Sequence, residues 1–251
     1  MAVKVVVAGA TGKTGRVIAR GVSQASDLEL VGAVAPHHAG RRLGNVIDIP
    51  GVDIPIHASV AEALARRKAD VLVDFTTPEA GFGNAMAALE RGVRPVVGTT
   101  GLGAEQLEAL DAAARRAGLA AIVAPNFSIG GLLMERLAAQ AAALMPMVEV
   151  IEMHHAQKKD APSGTAARLA ERLAAAGARA PVPVHSVRLP GFVAHHEVLF
   201  GGQGEALVIR HDAYSREAFV PGVLIAVRAV VHAEPGLITQ LWPLIERAAQ
   251  A

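Results

Sequence analysis

Between Glu152 and Ala166 the chain reads EMHHAQKKDAPSGTA, which sets two histidines, two lysines, an aspartate and a Pro-Ser-Gly-Thr turn among residues otherwise rich in alanine, valine and leucine. His154 can exchange a proton near neutral pH. Pro162 and Ser163 form a turn and an N-cap before a helix that starts at Gly164 and Thr165, so unpaired backbone N–H groups there make an anion site. Lys158 and Lys159 add positive charge just upstream. This set suits a small dianionic substrate and a positioned acid that protonates a reduced product. It does not suit a metal: on a strand His154 and His155 point to opposite faces, and the chain has no cysteine to supply thiolates. Nor does it suit nucleic acid, because the lysines have no interleaved aromatics or basic stripe.

A second constellation lies at the N-terminus. The β-branched run VKVVVA is followed by Gly9, Gly12 and Gly15 and then by Val17, Ile18 and Val22 at helical spacing. Glycines there let the backbone turn tightly and approach a diphosphate at a helix N-terminus. The glycines alone would fit any tight turn, but the strand before them and the helix after them point to a dinucleotide. With a nicotinamide dinucleotide in the same chain, the chemistry becomes hydride transfer.

The elements that must position these groups follow from the rest of the sequence. The chain has 251 residues, 52% hydrophobic and 19% charged, enough for one large domain or two small ones. Its 24 Lys plus Arg against 23 Asp plus Glu give no general basic field toward nucleic acid or a membrane surface. No apolar run approaches spanning length, no signal peptide is seen, and the mature chain is expected to begin near Met1 and to reside in the cytoplasm. Strand and helix patterns alternate through ADVLVDFTTP, the helical AGFGNAMAALERG, RPVVGTTG, EQLEALDAAARRAG and AAIVAPNF. The expected fold is α/β: a Rossmann-type doubly wound parallel sheet over residues 1–127, completed by 217–251, with DFTTP, GTTG and APNF at strand C-termini. Residues 128–216 read as a second, smaller α+β domain with a mixed sheet, because HSVRLPG, AHHEVLFGG and EALVIRHDA follow one another without helices. The final FVPGVLIAVRAVV and GLITQLWPLIERAAQ both read as helices.

GATGKTGR, DFTTP, GTTG, APNFSIG, LPGFVAHHEVLFGGQGEALVIRHDAYSREAF and above all EMHHAQKKDAPSGTA resemble the dihydrodipicolinate reductase family over nearly the whole chain. The resemblance implies NAD(P)H-dependent reduction of 4-hydroxy-tetrahydrodipicolinate in the diaminopimelate route to lysine. It implies His154 as acid/base and Lys158 as proton donor, with His155, Gly164 and Thr165 on the carboxylates of a small dicarboxylate substrate. The nucleotide contacts it implies are Gly9, Ala10, Thr11, Gly12, Lys13 and Thr14, then Gly98, Thr99 and Thr100, then Ala124, Pro125, Asn126 and Phe127. It also implies a homotetramer assembled through the second domain.

One position departs from the NAD pattern. Ala35 stands where an acid usually accepts from the adenosine ribose 2′-hydroxyl, and no carboxylate lies between Glu29 and Asp48. NADPH, NADH or both therefore fit, and NADPH use at least as efficient as NADH is expected. Lys13, Arg16, His37, His38, Arg41 and Arg42 are the candidate cations for a 2′-phosphate, with Lys13 and one of Arg41 or Arg42 preferred. A short-chain dehydrogenase would need Tyr-x-x-x-Lys, but the only tyrosine, Tyr214, is followed at that spacing by Ala218. A non-catalytic NADPH-binding redox sensor remains the alternative, and it would have no use for His154 and Lys158 beside an anion-binding turn.

Overall fold

In a computed structural model that describes residues 2–250, the chain divides into two compact units, one made of the chain up to Phe127 and from Phe219 onward, the other of Ser128–Ala218. Met1, the expected start of the mature chain, and Ala251 lie outside the described residues.

The first unit is a seven-stranded parallel sheet. Its elements in chain order are β1 (Val3–Ala8), α1 (Gly15–Gln24), β2 (Leu28–Val34), α2 (Leu43–Ile47), β3 (Ile56–His57), α3 (Val60–Arg66), β4 (Val71–Asp74), α4 (Pro78–Leu89), β5 (Arg94–Val97), α5 (Ala104–Ala117) and β6 (Ala120–Val123). In the second unit come α6 (Ile129–Ala142), β7 (Val148–His154), α7 (Gly164–Ala175), β8 (Val184–Arg188), β9 (Ala194–Gly202) and β10 (Glu205–Ala213), and the first unit closes with α8 (Val220–Val230), β11 (Gly236–Ile238) and α9 (Trp242–Gln250). The strand order is β11-β6-β5-β4-β1-β2-β3. The chain runs outward from β1 to β3, then returns to β4 on the other side of β1, which opens a crevice at the C-terminal edge. Central β4 is buried at all four positions, as a strand covered on both faces must be.

The last segment differs from its sequence reading. GLI in GLITQLWPLIERAAQ is not helical; it is β11, an edge strand parallel to β6, with the Leu237 N–H donating to Asp111 at 2.8 Å. The helix starts only at Trp242, because Pro243 lacks an N–H and is tolerated in a first turn but not in a helix interior. The apolar spacing of Leu237, Ile238, Leu241 and Leu244 imitates a helix across that boundary.

In the second unit β10-β9-β7-β8 form a mixed sheet, with β7 parallel to β8 and antiparallel to β9. Its core joins Val148, Val150, Val198 and Phe200 of the sheet to Met134, Ala138, Leu169 and Leu173 of α6 and α7. Every second residue of β7 therefore faces the helices, and Glu152 and His154 share that inner face.

Candidate active site

In the first unit, the turns that the sequence singles out lie at the C-terminal ends of β1, β4, β5 and β6. Gly9 has φ +76, and a Cβ there would stand 2.3 Å from the Phe75 oxygen; a Cβ on Gly15 would stand 2.0 Å from the Gly9 oxygen. These two glycines are required by the protein's own backbone. Gly12 is exposed and meets only the Gly9 oxygen, at 3.1 Å, so its face is the one open to a ligand. The N–H groups of Gly9 and Ala10 donate to Val34 and that of Gly12 to Gly9, leaving those of Thr11, Lys13 and Thr14 without an acceptor among the described residues. Arg16 clamps the turn by donating to the Thr11 carbonyl at 3.0 Å. Such a cradle fits a diphosphate.

Buried Asp74 ties the neighbouring turns together. One of its oxygens accepts from the Thr76 N–H at 3.0 Å, the Thr76 hydroxyl at 2.7 Å and the Thr99 hydroxyl at 2.7 Å; the other accepts from Asn84 at 2.8 Å. Thr99 also accepts from the Thr76 N–H at 2.9 Å. Its hydroxyl is thus engaged by the protein, and its backbone is what it can offer a nucleotide. A Cβ on Gly98 would stand 2.2 Å from the Phe75 ring, which in turn packs on Phe127 at 5.8 Å between centroids. Ala10, Ala124 and Phe127 are buried, while Thr100 and Pro125 are exposed and Asn126 is half-buried. DFTTP was expected at a strand C-terminus, but the organising roles of Asp74 and Phe75 within it were not read from the sequence, although a carboxylate ending an otherwise apolar strand is a signal of that kind.

Near the ribose position Ala35 is buried and neutral. Arg42 is paired with Asp53 at 3.2 Å, whereas no carboxylate partners Arg41 among the described residues. Arg41, Arg42, His57, Arg66 and Arg67 line one shallow basic recess.

The histidine and lysine cluster lies in the second unit. β7 ends at His154, so His155 belongs to the following loop rather than to the opposite face of the strand. His154 is buried, and its Nδ1 meets Glu152 Oε2. Arg188 closes on the same carboxylate at 3.0 and 2.6 Å, and the Ser163 N–H donates to it at 3.2 Å. Burial alone would push the Glu152 carboxyl up; the Arg188 guanidinium, with Ser186 and His154, pulls it down to about 2. Burial pushes His154 below its ordinary value, and Glu152 opposes that shift. The His196 ring stands edge-on to His154 at 5.6 Å and is driven by burial, then by His154, down to about 4.

Lys158 Nζ donates to both Asp160 oxygens at 2.8 Å, and Lys159 is exposed. Ser163 caps α7 by accepting from the Ala166 N–H at 3.2 Å, as the sequence implies, and half-buried Thr165 follows exposed Gly164 in the first turn. The end of β7, the loop after it and the first turn of α7 thereby carry His154, then His155 and Lys158, then Gly164 and Thr165. Glu152, Arg188 and His196 are functional candidates that the sequence reading missed. Glu152 was within reach of it, since a residue two before a strand histidine shares its face.

Residues 3–127 match the family model described as dihydrodipicolinate reductase, N-terminus, and residues 130–241 the one described as dihydrodipicolinate reductase, C-terminus. The chain is 45% identical over 247 residues to 4-hydroxy-tetrahydrodipicolinate reductase of Moorella thermoacetica, covering 91% of this chain and 92% of that one. It is 49% identical over 234 residues to that of Symbiobacterium thermophilum, at 91% and 92% coverage. Among solved structures, dipicolinate-bound dihydrodipicolinate reductase from Paenisporosarcina sp. TG-14 superposes with a TM-score of 0.83 at 37% identity, covering 96% of this chain and 98% of that one. An amine dehydrogenase from Mycobacterium smegmatis, at 15% identity and a TM-score of 0.69 over 94% of each chain, shares the fold alone.

Proposed function

Because the chain belongs to the dihydrodipicolinate reductase family, we infer that it reduces 4-hydroxy-tetrahydrodipicolinate to tetrahydrodipicolinate with a reduced pyridine nucleotide, releasing water, in the diaminopimelate route to lysine. The observation that carries the reading is the β7–α7 connection, which joins His154, backed by a buried carboxylate, to Lys158 and the first turn of α7. When bound, the nucleotide supplies the hydride. In its charged form His154 holds a transferable proton at Nε2 and Lys158 holds one at Nζ, and either can pass to the ring nitrogen or adjacent carbon of an anchored substrate. The N–H groups of Gly164 and Thr165, with His155 and the Lys158 charge, hold the two carboxylates. The turns at 9–14, 98–100 and 124–127 hold the nucleotide. Mixing protein, reduced nucleotide and the fresh condensation product of pyruvate and aspartate semialdehyde should bleach the nicotinamide absorbance; no loss above the protein-free rate would refute the activity.

The cofactor preference follows from Ala35. The 2′-hydroxyl of NADH lacks its carboxylate acceptor there, and the 2′-phosphate of NADPH meets no negative charge from that position. Arg41 is the preferred partner for that phosphate because Asp53 already engages Arg42; Lys13 is exposed on the glycine turn. One charge-assisted contact contributes roughly 1.5 to 3 kcal/mol. kcat/KM for NADPH should equal or exceed that for NADH, and Arg41→Ala should lower the NADPH value about tenfold or more while leaving NADH unchanged. A strong NADH preference at both low and moderate salt would overturn the assignment.

The protein works in the cytoplasm as a homotetramer joined through the second unit. The sheet face turned away from α6 and α7 supports this, because it presents Ile151, Met153, Leu199 and half-exposed Val208 together. Light scattering should read the mass of four chains; a monomer at micromolar concentration would contradict it.

A further inference from the structure

Glu152 takes no part in the chemistry above, yet it is completely buried beside His154. Charged side chains are rarely buried so fully unless paired, and a buried ion pair is in itself weak support for stability. Its surroundings show what else it does. Glu152 is an acceptor only, so the His154 Nδ1 that meets it must carry the proton. The neutral ring then has its lone pair on Nε2, and in the charged ring the Nε2 proton is the one not committed to the protein. Arg188 grips both Glu152 oxygens from the neighbouring parallel strand, so the carboxylate cannot turn away from the ring. The same Arg188 donates at 2.7 Å to the backbone oxygen of Asp160, whose carboxylate holds Lys158 Nζ. A single guanidinium therefore braces the supports of both proton-handling residues.

We propose that Glu152 and Arg188 are a positioning pair that fixes the tautomer and aim of His154 and, through Asp160, the place of Lys158. The proposal rests on the reading of His154 and Lys158 as the proton-handling residues. Among the described residues, four groups that titrate or carry charge face His154: Glu152 on its own strand, Arg188 on β8, His196 on β9 and Lys158 in the following loop. Of these, Glu152 alone favours the charged ring, while Lys158 and Arg188 disfavour it. Removing the carboxylate should therefore shift the titration of His154 to lower pH as well as free its tautomer.

The test combines histidine nitrogen NMR with kinetics. In the wild-type protein labelled with 15N-histidine, and with His154→Asn to assign the signals, neutral His154 should appear as the Nδ1–H tautomer. In Glu152→Gln, kcat should fall at least tenfold with the nucleotide dissociation constant unchanged, and the limb of the pH profile due to His154 should move to lower pH. Arg188→Lys keeps the charge but loses the fork, and it should lie between the two. Rates are scaled to the folded fraction read by nucleotide binding, so a merely structural role would lower thermal stability and leave the scaled kcat and pH profile as they were. That result, or an Nε2–H tautomer in the wild type, would overturn the proposal, and the wild-type spectrum decides even where a variant fails to fold. Normal turnover in His154→Ala would instead remove the underlying reading, whatever the tautomer.

Discussion

His154→Ala and Lys158→Ala should each lower kcat by roughly two orders of magnitude or more, about 2.7 kcal/mol of transition-state stabilisation, with nucleotide affinity little changed. The two losses should differ in kind. His154 is buried with Nδ1 committed to Glu152, so its alanine variant removes a proton at one atom and leaves the charges around the substrate carboxylates nearly intact. Lys158 is the partner of Asp160. Its removal leaves an unpaired carboxylate beside the α7 turn that is to receive the substrate, so the substrate KM should rise together with the fall in kcat. Adding Asp160→Asn to Lys158→Ala should restore most of the KM and none of the kcat. Near-normal turnover in both single variants, measured as nicotinamide oxidation at saturating nucleotide, would refute the catalytic roles.

What could be read from the sequence here is what local spacing encodes. The glycine turn, the Ser163 cap and the strand-end turns each depend on residues a few positions apart, and all are formed by the residues expected. Helix α3 was legible too: the Ser59 hydroxyl accepts from the Glu62 N–H at 3.1 Å while the Glu62 carboxylate accepts from the Ala58 N–H at 3.1 Å, a capping pattern within a few residues that the sequence reading passed over. Arg188 was not legible. It meets Glu152 only because β8 returns parallel to β7 after the crossover through α7, and no spacing in the sequence states that register. Asp74 lies between these cases, since its strand was clear but its partners Asn84 and Thr99 come from different elements. The strand β11 was hidden for another reason: three residues are too few to show a period of two.

Burial of a histidine next to His154 should make the folded protein sensitive to mild acid. His196 is 5% exposed, its Nε2 has no partner among the described residues, and burial first, then His154, lowers it to about 4 from an ordinary 6.5. In the unfolded chain it protonates near 6.5, and in the folded chain only near 4. Its contribution to stability is therefore complete above about pH 6.5 and is lost as pH falls from there toward about 4, when the unfolded state binds the extra proton. The shift corresponds to about 3 kcal/mol across that window. His154 and His211 are displaced in the same direction by burial and add to the loss. Glu152 acts lower: held at about 2 against an ordinary 4.5, it keeps its contribution above 4.5 and loses it between there and about 2, so the histidines dominate the first part of an acid titration. Urea unfolding at fixed chain concentration should show a fall of roughly 2 to 3 kcal/mol between about pH 7 and about pH 4.5. His196→Asn should flatten most of that slope even if it lowers stability at neutral pH. A slope unchanged in the variant would assign the proton uptake to other groups, and no slope in the wild type would mean that His196 is not held neutral. A neutral His196 bears on the proposed chemistry as well, because a positive charge on His154, whose ring stands 5.6 Å away, would be opposed by a second imidazolium in the same low-dielectric interior.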